Sequence, residues 1–167
     1  MRLVARHGAI AVLLGVVIVA LFGAASLSID FSRLWTLRNE LQGSADAGAH
    51  AGAIQLLTPN AYVDADDSAS SFAIRNLAMG GIVTVDSATL GHWNDQAKTF
   101  TAFESGGRPI DAVSIVVSRQ SNGLFMSHLG LAAPRVRARA IGWVVPATSS
   151  DSTAGISTDA PKPILVK

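Results

Sequence analysis

The sequence predicts an α+β fold: a transmembrane helix that continues into a long amphipathic helix, followed by a small antiparallel sheet domain. Three observations predict it. The apolar run from Gly8 to Ile29 contains no Asp, Glu, Lys or Arg. The segment after it keeps apolar residues at steps of three and four as far as Pro59, the period of one helix face. Beyond Pro59, short β-branched runs are separated by Gly-, Asn- and Pro-containing turns, the pattern of strands and hairpins.

The apolar run supplies the roughly 20 residues a helix needs to cross a bilayer core. In hydrocarbon such a segment must be helical, because no solvent satisfies its backbone groups. Secretory signal peptides have shorter apolar stretches of about 7–15 residues before a small-residue cleavage site. Gly23, Ala24 and Ala25 offer small residues, but the length of the run favours a retained anchor. Arg2 and Arg6 precede it, while Arg33 and Arg38 follow it. Basic residues on the two flanks are thus nearly balanced. The free amino terminus and the short leader favour a cytoplasmic N-terminus with the bulk of the chain exported across an inner membrane. The expected organisation is a basic leader over 1–7, a transmembrane helix over 8–29, an amphipathic helix over 30–58, an exported α+β domain over 59–145 and a disordered tail over 146–167.

Leu27, Phe31, Leu34, Leu37, Leu41, Ala45, Ala49 and Ala53 form the helix stripe, and Arg33, Arg38, Asn39 and Glu40 fall largely off it. The spacing of Gly48 and Gly52 suits close helix packing. It fits either a core helix or a helix that packs against copies or relatives in an assembly. Pro59 to Asp67 reads as a loop. Its Asp64, Asp66 and Asp67 lack the spacing, turn glycine and closing Glu of a calcium loop. Ser68–Leu77 reads as a short helix ending at Gly80 and Gly81. Ile82–Val85 and Lys98–Phe103 read as strands, with Gly91, Asn94 and Asp95 as turn residues between them. Gly106, Gly107 and Pro109 make the next turn, and Ala112–Ser118 is the strongest strand. Leu124–Leu131 suits a helical turn. Val136–Val145 alternates small or apolar residues against Arg137 and Arg139, as a half-buried strand does.

Composition narrows the function. Cysteine is absent, which excludes disulfides, thiolate metal sites and a cysteine nucleophile. The formal net charge of +1 gives no electrostatic footprint for nucleic acid. His7, His50, His92 and His128 do not have the spacing of a metal-binding helix. His50 and His92 read as structural or interface residues. No nucleophile elbow, P-loop or dinucleotide fingerprint occurs. The sequence therefore gives no catalytic, cofactor-binding or metal-ligating residues, and it implies no cofactor. Arg135, Arg137 and Arg139 share one strand face, which suits either hydration or docking to an acidic partner or to lipid headgroups. Asp30, Arg33, Gln42 and Asp46 decorate the helix just beyond the membrane and are the candidate interaction residues.

Two blocks carry a family resemblance. The first is RHGAIAVLLG at Arg6–Gly15 followed by SIDFSRLWTLRNELQGSADAGAHAGA at Ser28–Ala53. The second is LGHWNDQAKTFTA at Leu90–Ala102, then AVSIVVSR, then LFMSHLGLAAPRVRARAIGWV. Together they resemble the TadG-like family of Flp (tight-adherence) pilus-assembly proteins, in a short form. Asp30, Arg33, Glu40, Leu41, Gln42, Ala45, Asp46 and Ala47 are the most specific matches, and Gly43, Ser44, Gly48 and His50 depart from the family block. The resemblance implies a non-enzymatic inner-membrane protein with a pilin-like architecture, whose partners are other pilus-assembly or pilin-like proteins. It leaves homo-oligomerisation open. Larger relatives add a von Willebrand A-type domain, and the length here leaves no room for one. Related pseudopilins are cut after a Gly that is followed five residues later by Glu. Gly8 is present here, but Leu13 stands at the Glu position. This argues for a permanent anchor over a processed minor pilin or pseudopilin. A membrane-tethered binding protein or hydrolase is the remaining alternative.

Overall fold

The computed structural model describes residues 4–58, 61–103, 109–130, 132–145 and 165–166. Helix α1 runs unbroken over Val4–Gln55, 52 residues, or about 78 Å at 1.5 Å per residue. No proline interrupts it. It stops short of Pro59 through three successive turn hydrogen bonds, from the N–H groups of Leu56, Leu57 and Thr58. Among the described residues, its Ile10–Phe22 stretch packs against nothing. The large apolar side chains from Ile10 to Phe22 are all at least 43% exposed. A bare apolar shaft of this size is at home in hydrocarbon and unfavourable in water. Among the described residues it is the one helix long and apolar enough to cross a membrane.

The second half of α1 is the spine of the domain. A single turn of 3-10 helix at Ala61–Asp64 leads into α2, Ala65–Arg75. Four strands follow: β1 Thr84–Asn94, β2 Thr99–Ala102, β3 Ala112–Gln120 and β4 Arg135–Trp143. A second 3-10 turn, Met126–Leu129, lies between β3 and β4. The strands are antiparallel in the order β2-β1-β3-β4, with a two-residue β5, Leu165–Val166, beside Gly142 and Trp143. Both helices cover one face of the sheet. Leu37, Leu41, Ala45 and Ala49 of α1, Ala69 and Ala73 of α2, Val113, Ile115 and Val117 of β3, and Ala138 and Ala140 of β4 make one buried core.

The core tapers from leucine to alanine along α1, which sets where α2 sits. A Cβ on Gly48 would lie 2.7 Å from the Ala69 carbonyl oxygen, and one on Gly52 2.9 Å from that of Ala65. The two glycines thus let α2 lie directly on α1. Their close-packing role is met within the chain. Ser44, also buried, donates to the Ala73 carbonyl at 2.8 Å and ties the same two helices.

Several boundaries differ from the sequence reading. The α1 stripe is buried from Leu37 onward, while Leu27 and Phe31 are 61% and 69% exposed. The domain reaches back along the helix only that far with its core. Helix α2 starts at Ala65 rather than Ser68. The stretch assigned to a loop thus holds a 3-10 turn and the first turn of α2. There Asp66 and Asp67 complement the helix dipole. The first strand is the full Thr84–Asn94 segment rather than Ile82–Val85. Gly91 lies inside it opposite Ala112, under the Phe100 ring, where a Cβ would collide. The turn is made at Asn94, as expected of that residue, and its Oδ1 accepts the N–H groups of Gln96 and Ala97. The strands read at Ala112–Ser118 and Val136–Val145 are β3, Ala112–Gln120, and β4, Arg135–Trp143, and Met126–Leu129 is the helical turn expected in Leu124–Leu131. The tail expected over 146–167 lies outside the described residues apart from Leu165 and Val166, which pair with β4. Of the leader expected over 1–7, residues 1–3 lie outside them as well, and residues 4–7 are the first turn of α1.

Candidate functional site

The junction between the apolar shaft and the domain is built around Asp30, the first charged residue after the run. Its side chain is 2% exposed. Oδ1 accepts the N–H of Leu124 at 2.9 Å, and Oδ2 accepts those of Phe125 and Met126 at 3.0 and 2.7 Å. Successive amides after β3 therefore converge on one carboxylate, an arrangement suited to an anion. The bonds clamp the β3–β4 connection onto α1 at the foot of the domain.

Arg33, one turn further along, is half-buried and lines an open cleft with Leu37, Met79, Arg119, Gln120 and Asn122. Gln42 donates through Nε2 to Asp46 Oδ1 at 2.8 Å and to the Arg139 carbonyl at 3.2 Å. This pair joins α1 to β4. Asp30 and Gln42 thus hold the domain to the helix, and Arg33 faces the cleft beside them. Glu40, a family-block residue, accepts the Met79 N–H and fixes the turn before β1.

On the sheet face away from the helices, Asp86 organises the arginine cluster. The β1–β3 register slips between Val85 and Ser87, so Asp86 is the extra residue of a bulge that turns its side chain outward. Its carboxylate accepts the Ser118 hydroxyl at 2.6 Å, Arg135 Nη2 at 2.9 Å and Arg137 Nε at 2.9 Å. An acidic partner for Arg135 and Arg137 is therefore within the chain. Arg139 donates to Ser114 Oγ at 3.0 Å and lies over the Phe100 ring. Next to it Trp93 and Trp143 stack at 4.6 Å. Asp111 fastens this end, pairing with His92 Nδ1 at 2.6 Å and accepting the Trp93 N–H at 2.8 Å. His92 is thus tied into the hairpin.

Asp86 and Asp111 were not singled out from the sequence. For Asp86 a signal exists: Val83 and Val85 keep one alternation phase, and Ala88 and Leu90 take up the other. That slip marks the bulge. Asp66 to Ser70 also spells Asp-x-Ser-x-Ser, the letter pattern of an adhesion-domain ion motif. These residues form the first turns of α2, with Ala69 in the core. Among the described residues no group of three His, Cys, Asp or Glu side chains is placed to hold a metal.

Both key carboxylates titrate low. Burial raises the Asp30 carboxyl, but the N–H groups of Met126, Leu124 and Phe125 and the Arg33 charge outweigh it and hold it below the ordinary 3.8. The Ser118 hydroxyl lowers Asp86, burial opposes this, and Arg135 and Arg137 lower it further, again below 3.8. A depressed carboxyl stabilises the fold fully above its unfolded value and loses that contribution as pH falls through its folded value. The domain is therefore expected to keep its stability down to about pH 4 and to lose it below. D86N should flatten part of that acid limb. Tryptophan fluorescence of the full chain in detergent, followed down the pH scale, checks both.

Residues 38–141 match the family model described as Tad-like Flp pilus-assembly. Residues 8–55 match the model described as Flp pilus-assembly TadE/G-like. No curated protein and no solved structure matches the chain significantly. The first match runs from Arg38 in α1 through α2 and β1 to β3 as far as Ile141 in β4, more than half of the chain. This chain belongs to the Tad-like family of Flp pilus-assembly proteins.

Proposed function

We propose that the chain is a non-enzymatic, permanently anchored component of the Flp/Tad pilus-assembly or secretion apparatus. It acts through helix packing and protein–protein contacts, in the bacterial inner membrane. Its N-terminus is cytoplasmic and its domain lies on the periplasmic or extracellular side. The observation that carries this reading is the uninterrupted Val4–Gln55 helix. The bare apolar shaft and the spine of the domain are one rigid rod, so anything that docks on the domain is held at a fixed height above the bilayer. Asp30, Gln42 and Asp46 serve this indirectly by clamping the β3–β4 connection and β4 to the rod. Arg33 is the member of the candidate set placed to meet a partner directly. Copies of the chain, or related pilin-like proteins, are the partners for the exposed helix.

A second reading, a processed minor pilin, is favoured by Gly8 and opposed by Leu13. Crosslinking in cells from the exposed His50 position of α1, with mass spectrometry of the captured partners and of the chain's own N-terminus, separates them. The expected result is capture of pilus-assembly proteins by a chain that retains Met1 or Arg2. Capture within fibres by a chain beginning at Ala9 would make it a minor pilin. Absence of any pilus partner would sink both readings.

A further inference from the structure

The cleft at the foot of the domain has a chemistry that the packing of the domain does not use. Along β3, Val113, Ile115 and Val117 point into the core, and the next residue in the same row is Arg119. Its guanidinium lies over Gly81, where a Cβ would collide with it. Opposite, on α1, is Arg33. The two arginines line one open cleft with Leu37, Met79, Gln120 and Asn122. Arg33 Nε and Arg119 Nη1 are both buried and, among the described residues, lack a hydrogen-bond partner. Buried donors left unpaired are costly, more so on a charged group. The nearby carboxylates are otherwise engaged. Asp30 accepts three backbone N–H groups, and Glu40 accepts that of Met79. Neither forms an ion pair with these arginines among the described residues.

The position of the cleft says which anion meets it. Gly8–Ile29 spans about 33 Å as a helix, close to the hydrocarbon thickness of about 30 Å. Arg33 then lies about 5 Å beyond Asp30's end of the span, within a headgroup layer of roughly 5–7 Å. The residues around it suit that depth. Phe31 and Trp35 are 69% and 62% exposed, and Leu124 and Phe125, pinned to Asp30, are 47% and 39% exposed. Aromatic side chains gather at this level of a bilayer.

We propose that the Arg33–Arg119 cleft binds the phosphate of an anionic membrane lipid. The guanidinium groups of Arg33 and Arg119, which line the cleft, meet the phosphate, and Phe31, Trp35, Leu124 and Phe125 seat the foot of the domain in the interface. Guanidinium groups are well matched to phosphate. The lipid would fix the rotation of the domain about its helix as well as its height. The site rests on α1 spanning the bilayer, which is tested separately.

The test uses the full chain in nanodiscs of phosphatidylcholine doped with phosphatidylglycerol, and native mass spectrometry of the lipids that remain bound. Wild type is expected to retain phosphatidylglycerol preferentially. R33Q and R119Q are each expected to lower that retention about tenfold, the size of one lost charge-assisted hydrogen bond. R119K is expected to fall between. R75Q, altered at an exposed arginine over Phe72, is expected to leave retention unchanged. Equal loss in R75Q, or no loss in R33Q and R119Q with the fold intact by circular dichroism, would each overturn the site, and displacement of the lipid by inorganic phosphate would overturn the lipid as its ligand. Release of the chain from membranes by alkaline carbonate would overturn the anchor as well. A chain that stays in the bilayer without lipid preference overturns the site alone.

Discussion

Replacing Gly142 by valine is expected to destabilise the domain by about 3 kcal/mol or more. Gly142 sits on β4 where the strand crosses α1. A Cβ there would meet the Ala49 carbonyl oxygen far inside contact distance, with the Ala49 carbonyl carbon at 2.8 Å and the Ala53 Cβ at 3.1 Å. The obstacle is helix backbone, which has no rotamer to change. Relief requires β4 to move off α1, which would open the core at Ala138 and Ala140. A domain this small has a total stability nearer 5 than 15 kcal/mol, so the variant should be largely unfolded or degraded. Gly43 is the control. It also lies in α1, but nothing approaches its Cβ position within 4 Å. G43A should therefore stabilise the helix by about 0.5–1 kcal/mol. Denaturant unfolding of the full chain in detergent, followed by tryptophan fluorescence, measures both. A Gly142 variant as stable as wild type would mean that β4 does not lie on α1 as described.

The elements that the sequence made legible are those governed by local pattern. The apolar run could be read because charge is absent over its whole length. β3 and β4 could be read because AVSIVVS and VRARAIGW carry their burial in their own alternation. Long-range geometry was harder to read. Nothing in the letters around Asp30 says that three amides from residues 124–126 will close on it, because that bond joins positions more than ninety residues apart. Asp30, Arg33, Gln42 and Asp46 could be picked out as polar residues on a helix. Their roles depend on where the β3–β4 connection and β4 return to that helix. The β1 boundary was misplaced because Gly91, a turn residue by composition, is used to admit the Phe100 ring. The bulge at Asp86 then breaks the alternation that would have extended the strand. In both cases a tertiary contact overrides a local preference.

The same distinction yields a second large effect. By period alone Phe31 and Leu41 belong to one stripe and should matter equally. Leu41 is fully buried in the core cluster, whereas Phe31 is 69% exposed. L41A removes a large side chain from between α1 and the sheet, where rigid neighbours on both sides limit collapse of the cavity. The expected cost is about 3 kcal/mol, within the range for buried leucine. F31A creates no cavity in the domain and should change its unfolding by less than about 0.5 kcal/mol. If Phe31 seats the foot of the domain in the bilayer, its loss should appear in lipid association instead. Unfolding of the two variants in one detergent, with lipid retention of both in nanodiscs, gives a crossed result: L41A fails in the first and F31A in the second. Similar unfolding losses for both would mean that the domain core extends down the helix to Phe31. In that case the membrane-facing collar would be part of the fold.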